Sequence, residues 1–497
     1  MGNKEDNGGL LRALGPYTAT AIVAGTVIGS GVFKKPQSIA ASVPGFDLIA
    51  LVWVLGGVLA LLGALSLAEV AVLFPRAGGN YVYLREGYGR LAGFLWGWVE
   101  FWIIRAASIA ALATIFIESL HDILRQTRGV DSNMDVLSFM ERQFLTVGVI
   151  AVLAVVNIRG VRWGGGLQLF ITTIKVASLL AILILPFALW SRIDRVETPS
   201  AARPDFSWGG LGTAFLGVLW SYHGWMNIAP VSGEVKNPQR NIPLAFLAGV
   251  GIVIFLYLGA NLAYHLVIPQ HEMAQLTGTT VVAEFARRLL GATGTVLASG
   301  VVMCSVFGAL NGNLLVGPRV LFAMGEDGLA PKAIGATHAR FRTPAVAIAV
   351  MGGWSIILIL AAGALIQYPL PVWEVGTYVI DVNPPPDKPL FDMLTDFAMF
   401  GAVIFETLAV TTIFVFRRRL PGAPRPYRCL GYPLVPLLYL VLPAYILGSM
   451  FYGQRTEVAA GLGFIALGAV VYFGMGLYQV KGIRNEGHSV ASRDSLE

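Results

Sequence analysis

The sequence predicts an all-α integral membrane protein with twelve transmembrane helices, and three observations carry that expectation. Of its 497 residues 56% are hydrophobic and only 13% charged, and the mean hydropathy is +0.68, far from a soluble globular profile. Apolar runs near or beyond the ~20 residues that cross a ~30 Å hydrocarbon layer recur along the chain. Two of those runs are broken in the middle, at Gly29-Ser30-Gly31 and at Ser221-Tyr222-His223-Gly224-Trp225.

The first span, 16–42, is divided by its two glycines, each worth roughly 1 kcal/mol against a helix relative to alanine. Spans two and three, 47–74 and 90–119, follow, the third carrying Glu100 and Arg105. The fourth, 143–159, is the shortest, and the fifth, 164–190, holds Lys175. The sixth, 210–231, contains the second break. The seventh, eighth and ninth are 243–267, 292–323 and 344–366, and the tenth, 392–416, carries Asp396 and Glu406. Spans at 433–452 and 457–478 close the set. The connection Ile268 to Leu290 is long enough for a short helix or two. Gln367 to Leu390, with Pro384-Pro385-Pro386, reads as a capping excursion or a mobile segment. The tails, Met1 to Gly9 and Asn485 to Glu497, are polar and read as disordered.

Orientation follows from the basic residues. One set of loops collects 20 lysines and arginines and the other 12, and the excess marks the cytoplasmic side, so both termini are expected inside. The formal charge of +6 therefore belongs to short loops and does not indicate nucleic-acid binding. Two cysteines, Cys304 in a span and Cys429 in a loop, give no disulfide framework. Six scattered histidines form no metal-ligand spacing, and no cofactor is expected. No signal-peptide core precedes the first span, which is expected to act as the insertion signal.

Unwound backbone at membrane depth survives where it lines a cavity or is buried in protein. Broken helices in corresponding positions of two halves point to a transporter's substrate site. At Ile28-Gly29-Ser30-Gly31 the amides of a new helix start attract an anion such as a carboxylate. Carbonyls just before the break lose their helical partners and can accept from an ammonium. The pair suits a zwitterion, although small-residue helix packing would leave the same pattern. Trp220-Ser221-Tyr222-His223-Gly224-Trp225 joins a helix breaker to three aromatics, one of which could cover a substrate; the plain alternative is an interfacial aromatic belt. Lys175 lies about 18 Å along its helix, near mid-membrane, where an ammonium is a functional hypothesis unless it snorkels or pairs structurally. Glu100 and Arg105, five apart, stand about 140° apart on an α-helix and are expected to find partners on other spans. Asp396 and Glu406 are intramembrane carboxylates that could handle protons or serve structure.

The chain resembles the amino acid–polyamine–organocation superfamily of transporters, and within it the L-type amino-acid transporter branch. The resemblance rests on Gly29-Ser30-Gly31-Val32-Phe33, on Phe74 to Tyr81, on Glu234 to Pro243, and on Ser305 to Pro331 with Asn311-Gly312-Asn313 and Arg319. It implies a LeuT-like fold: a first inverted repeat over 16–190, a second over 210–416, peripheral spans over 433–478, and cytoplasmic tails over 1–15 and 479–497. It also implies that Gly29, Ser30 and Gly31 meet a substrate carboxylate. Carbonyls near Ile28 and around Trp220, Ser221, Tyr222 and Gly224 would receive the ammonium. Trp220 would be the gating aromatic, and Lys175 would occupy the space where sodium-coupled relatives bind a cation, linking the two repeats by bonding near Gly29.

Three departures from that family accompany the resemblance. His223 stands where a small residue is common, which could give coupling by pH sensitivity or merely fill space; Met226 stands where several L-type members carry asparagine, and the loop Ser119 to Arg142 lacks the cysteine that joins animal members to a glycoprotein partner. The expectation is a monomer or weak homo-oligomer in the plasma membrane. It would exchange neutral L-amino acids without sodium, with proton symport as the alternative. A channel or receptor would want a repeated filter loop, and an intramembrane enzyme a catalytic set; the sequence has neither.

Overall fold

Backbone in hydrocarbon must satisfy its own polar groups, and helices do so segment by segment. The computed structural model describes residues 10–129, 135–193, 205–276, 279–369, 371, 373–375, 378–380, 390–453 and 455–478, with backbone alone at 373–375, 378–380, 390–398 and 456–457. Both polar tails, and Asp381 to Asp387 of the connection Gln367 to Leu390, fall outside these residues.

The first span forms α1 (Pro16–Val27) and α2 (Gly31–Ser42), followed by α3 (Gly45–Leu73). Between spans two and three lies α4 (Asn80–Tyr88), which hydropathy did not mark because it is nine residues long and carries Arg85 and Glu86. The third span runs as α5 (Arg90–Val99), a π-helical turn (Glu100–Arg105) and α6 (Ala106–Thr127). Then come α7 (Phe139–Ile158), α8 (Val161–Ala188) and α9 (Trp208–Tyr222). The fourth span starts earlier than hydropathy suggests because Ser138 and Glu141 form a capping box. After α10 (Pro238–Val267), the connection expected to hold short helices contains α11 (Gln270–Ala274) and α12 (Val281–Leu290). The eighth span is α13 (Ala292–Val316) plus α14 (Pro318–Glu326), and the ninth is α15 (Ala345–Gln367). A small antiparallel ribbon, β1 (Trp373–Val375) with β2 (Tyr378–Ile380), precedes α16 (Leu390–Arg419), α17 (Leu434–Gly453) and α18 (Arg455–Gly474).

Among the described residues ten helical stretches are long and apolar enough to cross a membrane. The expected sixth and twelfth spans are not among them. The sixth stops being helical at Tyr222, after 15 residues, and the twelfth is represented by the shorter apolar stretch Val458–Gly474. The interior is organised around the first span: α1 lies against α8, α10 and α13, and α2 lies against α9. On the α4 side, Tyr81 donates to Asp327 at 2.6 Å and Arg85 pairs with the same carboxylate. Arg417 grips Glu69 through two bonds of 2.9 and 2.7 Å, tying α16 to α3.

Candidate functional site

The first break is built from backbone whose partners come from three other helices. α1 ends where Ile28 turns to ψ 86°, and α2 restarts at Gly31. Lys175 Nζ, from α8, donates to the carbonyls of Gly25 at 2.7 Å and Ile28 at 2.5 Å. Ser305 Oγ, from α13, lies 3.2 Å from the Ile28 carbonyl and 3.1 Å from that of Gly29. Tyr257, from α10, donates to Val27 at 2.8 Å. At the restart the first amides of α2 have no acceptor within the helix. Beside them the Ser30 hydroxyl is buried at 1% exposure without a hydrogen-bond partner.

A carbonyl has two lone pairs, and at Ile28 one takes the Lys175 ammonium while the single Ser305 hydroxyl proton is shared between the Ile28 and Gly29 carbonyls. A substrate ammonium at Ile28 would compete with these donors. Lys175 reaches across to α1, so both bonds lie within the first half of the chain and do not join it to the second.

The second break follows α9. His223 leaves the helix at ψ 142° and Gly224 takes φ +101°, a conformation that glycine adopts without steric penalty. The chain does not return to an α-helix before α10. It continues through turns closed by Asn227 on Gly224, Ala229 on Met226 and Ser232 on Ala229. The two breaks meet. Thr26 Oγ1, 2.7 Å from the Ile22 carbonyl of its own helix, also lies 3.2 Å from the Gly224 carbonyl, and a Cβ added to Gly31 would stand 2.6 Å from Ser221 Cα.

The three aromatics of this segment take different positions. Trp220 is half-buried and stacks on His223, with centroids 6.2 Å apart and planes 9° apart. Tyr222 is buried against Trp53 and Tyr257, its hydroxyl without a partner. Trp225 is buried near Tyr439. A cavity between α3, α9, α16 and α17 is lined by Tyr222, His223, Trp225, Glu406 and Tyr439 among others, and by none of Ile28 to Gly31. Inside it His223 Nε2 lies 3.0 Å from Glu406 Oε1. Asp396 lies outside the residues whose side chains are described.

Glu100 and Arg105 depart from their expectation in one respect. They pair with each other, Arg105 Nε and Nη2 lying 2.8 and 2.5 Å from Glu100 Oε1. The physical reason is the π-helical turn Glu100–Arg105: i→i+5 bonding stacks residues five apart on one face. Arg105 also bonds Asn313 on α13 and reaches Asn227, beyond the second break, at 3.1 Å. Met226, the departure from the family's asparagine, is buried with its sulfur 2.6 Å from Asn80 Nδ2.

Sequence reasoning quoted Ser305, Glu234 and Arg319 only as parts of motifs, without contacts, and did not single out Asn227 or Tyr257; Arg319 and Glu234 are both fully buried and paired, with Nε–Oε1 at 2.7 Å. A polar or ionisable residue amid apolar neighbours was the available signal, and it does not reveal a partner far along the chain.

The profile of the amino acid permease family matches residues 14–475. The chain belongs to this family. It is a membrane transporter of amino acids, not an enzyme, of the amino acid–polyamine–organocation superfamily, whose fold is LeuT-like. It is 32% identical over 475 residues to the serine/threonine exchanger SteT of Bacillus subtilis (strain 168), covering 95% of this chain and 98% of that relative. It is 27% identical over 473 residues to the cystine/glutamate transporter of Homo sapiens, covering 94% and 86%. Against the large neutral amino acids transporter small subunit 2 of Oryctolagus cuniculus identity is 27% over 476 residues, covering 94% and 81%. These relatives place the permease in the L-type branch.

Proposed function

We propose that this permease is a sodium-independent exchanger of neutral L-amino acids, working by alternating access in the plasma membrane with both termini cytoplasmic. The observation that carries the reading is the meeting of the two breaks at Gly31–Ser221 and Thr26–Gly224. The amides of Gly29, Ser30 and Gly31, with the free Ser30 hydroxyl, hold the substrate carboxylate. The ammonium goes to carbonyls around Trp220, Ser221, Tyr222 and Gly224, or to Ile28 in competition with Lys175. Trp220, the half-buried aromatic of the segment, gates the site. The Lys175 ammonium supplies positive charge to carbonyls that a sodium ion would otherwise need to satisfy, which supports sodium independence.

The architecture behind this is twelve spans, with inverted repeats over 16–190 and 210–416, peripheral spans over 433–478, and cytoplasmic tails over 1–15 and 479–497. The loop 119–142 contains no cysteine, and on that ground the transporter is read as one without a disulfide-linked partner, a monomer or weak homo-oligomer. The names of the relatives suggest small hydroxylated or larger neutral amino acids as substrates. Proton symport is the second reading, favoured by the contact of His223 with Glu406.

The test is uptake of labelled L-serine and L-leucine into sodium-free proteoliposomes, preloaded with unlabelled amino acid or empty. Uptake only into preloaded vesicles establishes exchange. Uptake into empty vesicles that requires an acidic exterior establishes symport, and a requirement for sodium removes the role given to Lys175.

A further inference from the structure

His223 and Glu406 were separate candidates in the sequence, 183 residues apart, and the fold makes them one unit. His223 is the first residue past α9, in the unwound segment, and Glu406 projects from α16. Their side chains are 14% and 9% exposed and close one part of the cavity between α3, α9, α16 and α17. The imidazole face stacks on Trp220 while its Nε2 meets the carboxylate. A single ring thus contacts both the proposed gate and the tenth span.

We propose that His223 and Glu406 together form one proton-binding site whose occupancy controls closure of the substrate site. This deepens the transport reading above and rests on it. With a neutral imidazole and an ionised carboxylate the pair carries one net negative charge. Such a charge in a membrane interior is costly unless water reaches it. One proton taken from water, forming a new N–H on the imidazole or a new O–H on the carboxyl, brings the pair to net zero. No other bond changes. The neutral pair tolerates loss of water and the anionic pair resists it. Transport must pass through a closed, dehydrated state, so acid accelerates exchange up to saturation of a single site.

The other groups facing the pair fit this role. α17 contributes Tyr439, α9 contributes Tyr222, and α3 contributes Gly56, Leu59 and Ala60. Among the described residues the cavity wall carries no lysine or arginine that would fix the carboxylate in its charged form. The contrast is Glu100, which Arg105 holds through two hydrogen bonds.

Two measurements on the purified full chain test the site. In the first, exchange of labelled for unlabelled L-serine is followed at equal internal and external pH, so that no gradient contributes. The parent rises toward acid along a single-proton curve, and the double variant His223→Gln/Glu406→Gln loses that dependence. A variant with the parental pH curve, or a parent with a flat one, overturns the proposal. The second is a potentiometric difference titration in detergent without substrate, in which the parent binds one proton more than the double variant. Equal proton counts overturn the site even where serine moves. A one-proton difference without serine exchange retains the site and removes the transport reading instead. Should the double variant elute as aggregate, Glu406→Gln alone carries both arms, because it removes the negative charge that the bound proton neutralises and keeps a polar partner for the imidazole.

Discussion

Gly31 and Ser221 bring the two broken helices into backbone contact: a Cβ on Gly31 would lie 2.6 Å from Ser221 Cα and 2.7 Å from its Oγ. The glycine is required here by its neighbour and not by its own dihedral angles. Because the nearest obstacle is a backbone atom, a substituent at Gly31 forces the segments apart. Gly31→Val is expected to abolish amino-acid uptake in proteoliposomes while the protein still inserts and purifies. Adding Ser221→Gly should not rescue it, since the Cα remains. Full rescue would show that only the Ser221 side chain was in the way.

Arg105 and Glu100 offer a test of stability. Both are buried, and Arg105 also serves Asn227 and Asn313. Removing one partner of a buried pair costs about 3–5 kcal/mol, because the other charge is left unpaired. Arg105→Met is therefore expected to lower the midpoint of thermal unfolding in detergent sharply. The double variant Glu100→Met/Arg105→Met should recover part of the loss but not all of it, since both asparagines still lack their donor. Full recovery would mean that the asparagine contacts contribute nothing.

The contrast between these two sites shows what was legible in the sequence. Hydropathy located the ten helical stretches long enough to cross a membrane, and the glycines at Gly29 and Gly31 with Gly224 located both breaks, because these signals are local. Glu100 and Arg105 were misjudged because an α-helical wheel was applied to six residues that form a π turn, and the backbone hydrogen-bond pattern is not encoded in the spacing of two charges. The contacts of Ser305 were passed over because a lone serine in an apolar span carries no mark of its acceptors, the carbonyls of Ile28 and Gly29. The link from His223 to Glu406 depends on how the unwound segment lies against α16, which only tertiary packing decides.

α12, outside the membrane spans, gives a pH-dependent prediction. Burial alone would raise the Glu284 pKa, but bonds of 2.7 Å from Arg287 and Arg288, with their charges, outweigh it and hold the carboxyl below its usual value. A carboxylate with a depressed folded-state pKa contributes stability above its unfolded pKa, near 4.3, and loses that contribution as pH falls through the folded value. Amide hydrogen exchange across Val281–Leu290 should therefore stay slow at neutral pH and accelerate on acidification into that range, after correction for intrinsic rates. Glu284→Gln should exchange faster at neutral pH and lose the acid response. An unchanged profile would show that α12 is held by its apolar face alone.

On the proposed reading, Lys175 is what lets the first break stand without a metal ion. Its ammonium supplies donors to Gly25 and Ile28, two carbonyls that α1 cannot satisfy by helical bonding. Lys175→Met preserves the aliphatic length and removes the donors, leaving buried acceptors worth about 1–3 kcal/mol each. A loss of that size in the occluded state corresponds to a tenfold or greater fall in exchange rate, at about 1.4 kcal/mol per factor of ten. The same variant opens a space lined by carbonyl oxygens, the ligand type that sodium prefers. Exchange by Lys175→Met is therefore expected to be slow in sodium-free buffer and partly restored by added sodium, with no sodium effect on the parent. Parental rates in the variant would instead show that Ser305 and Tyr257 suffice to hold the break.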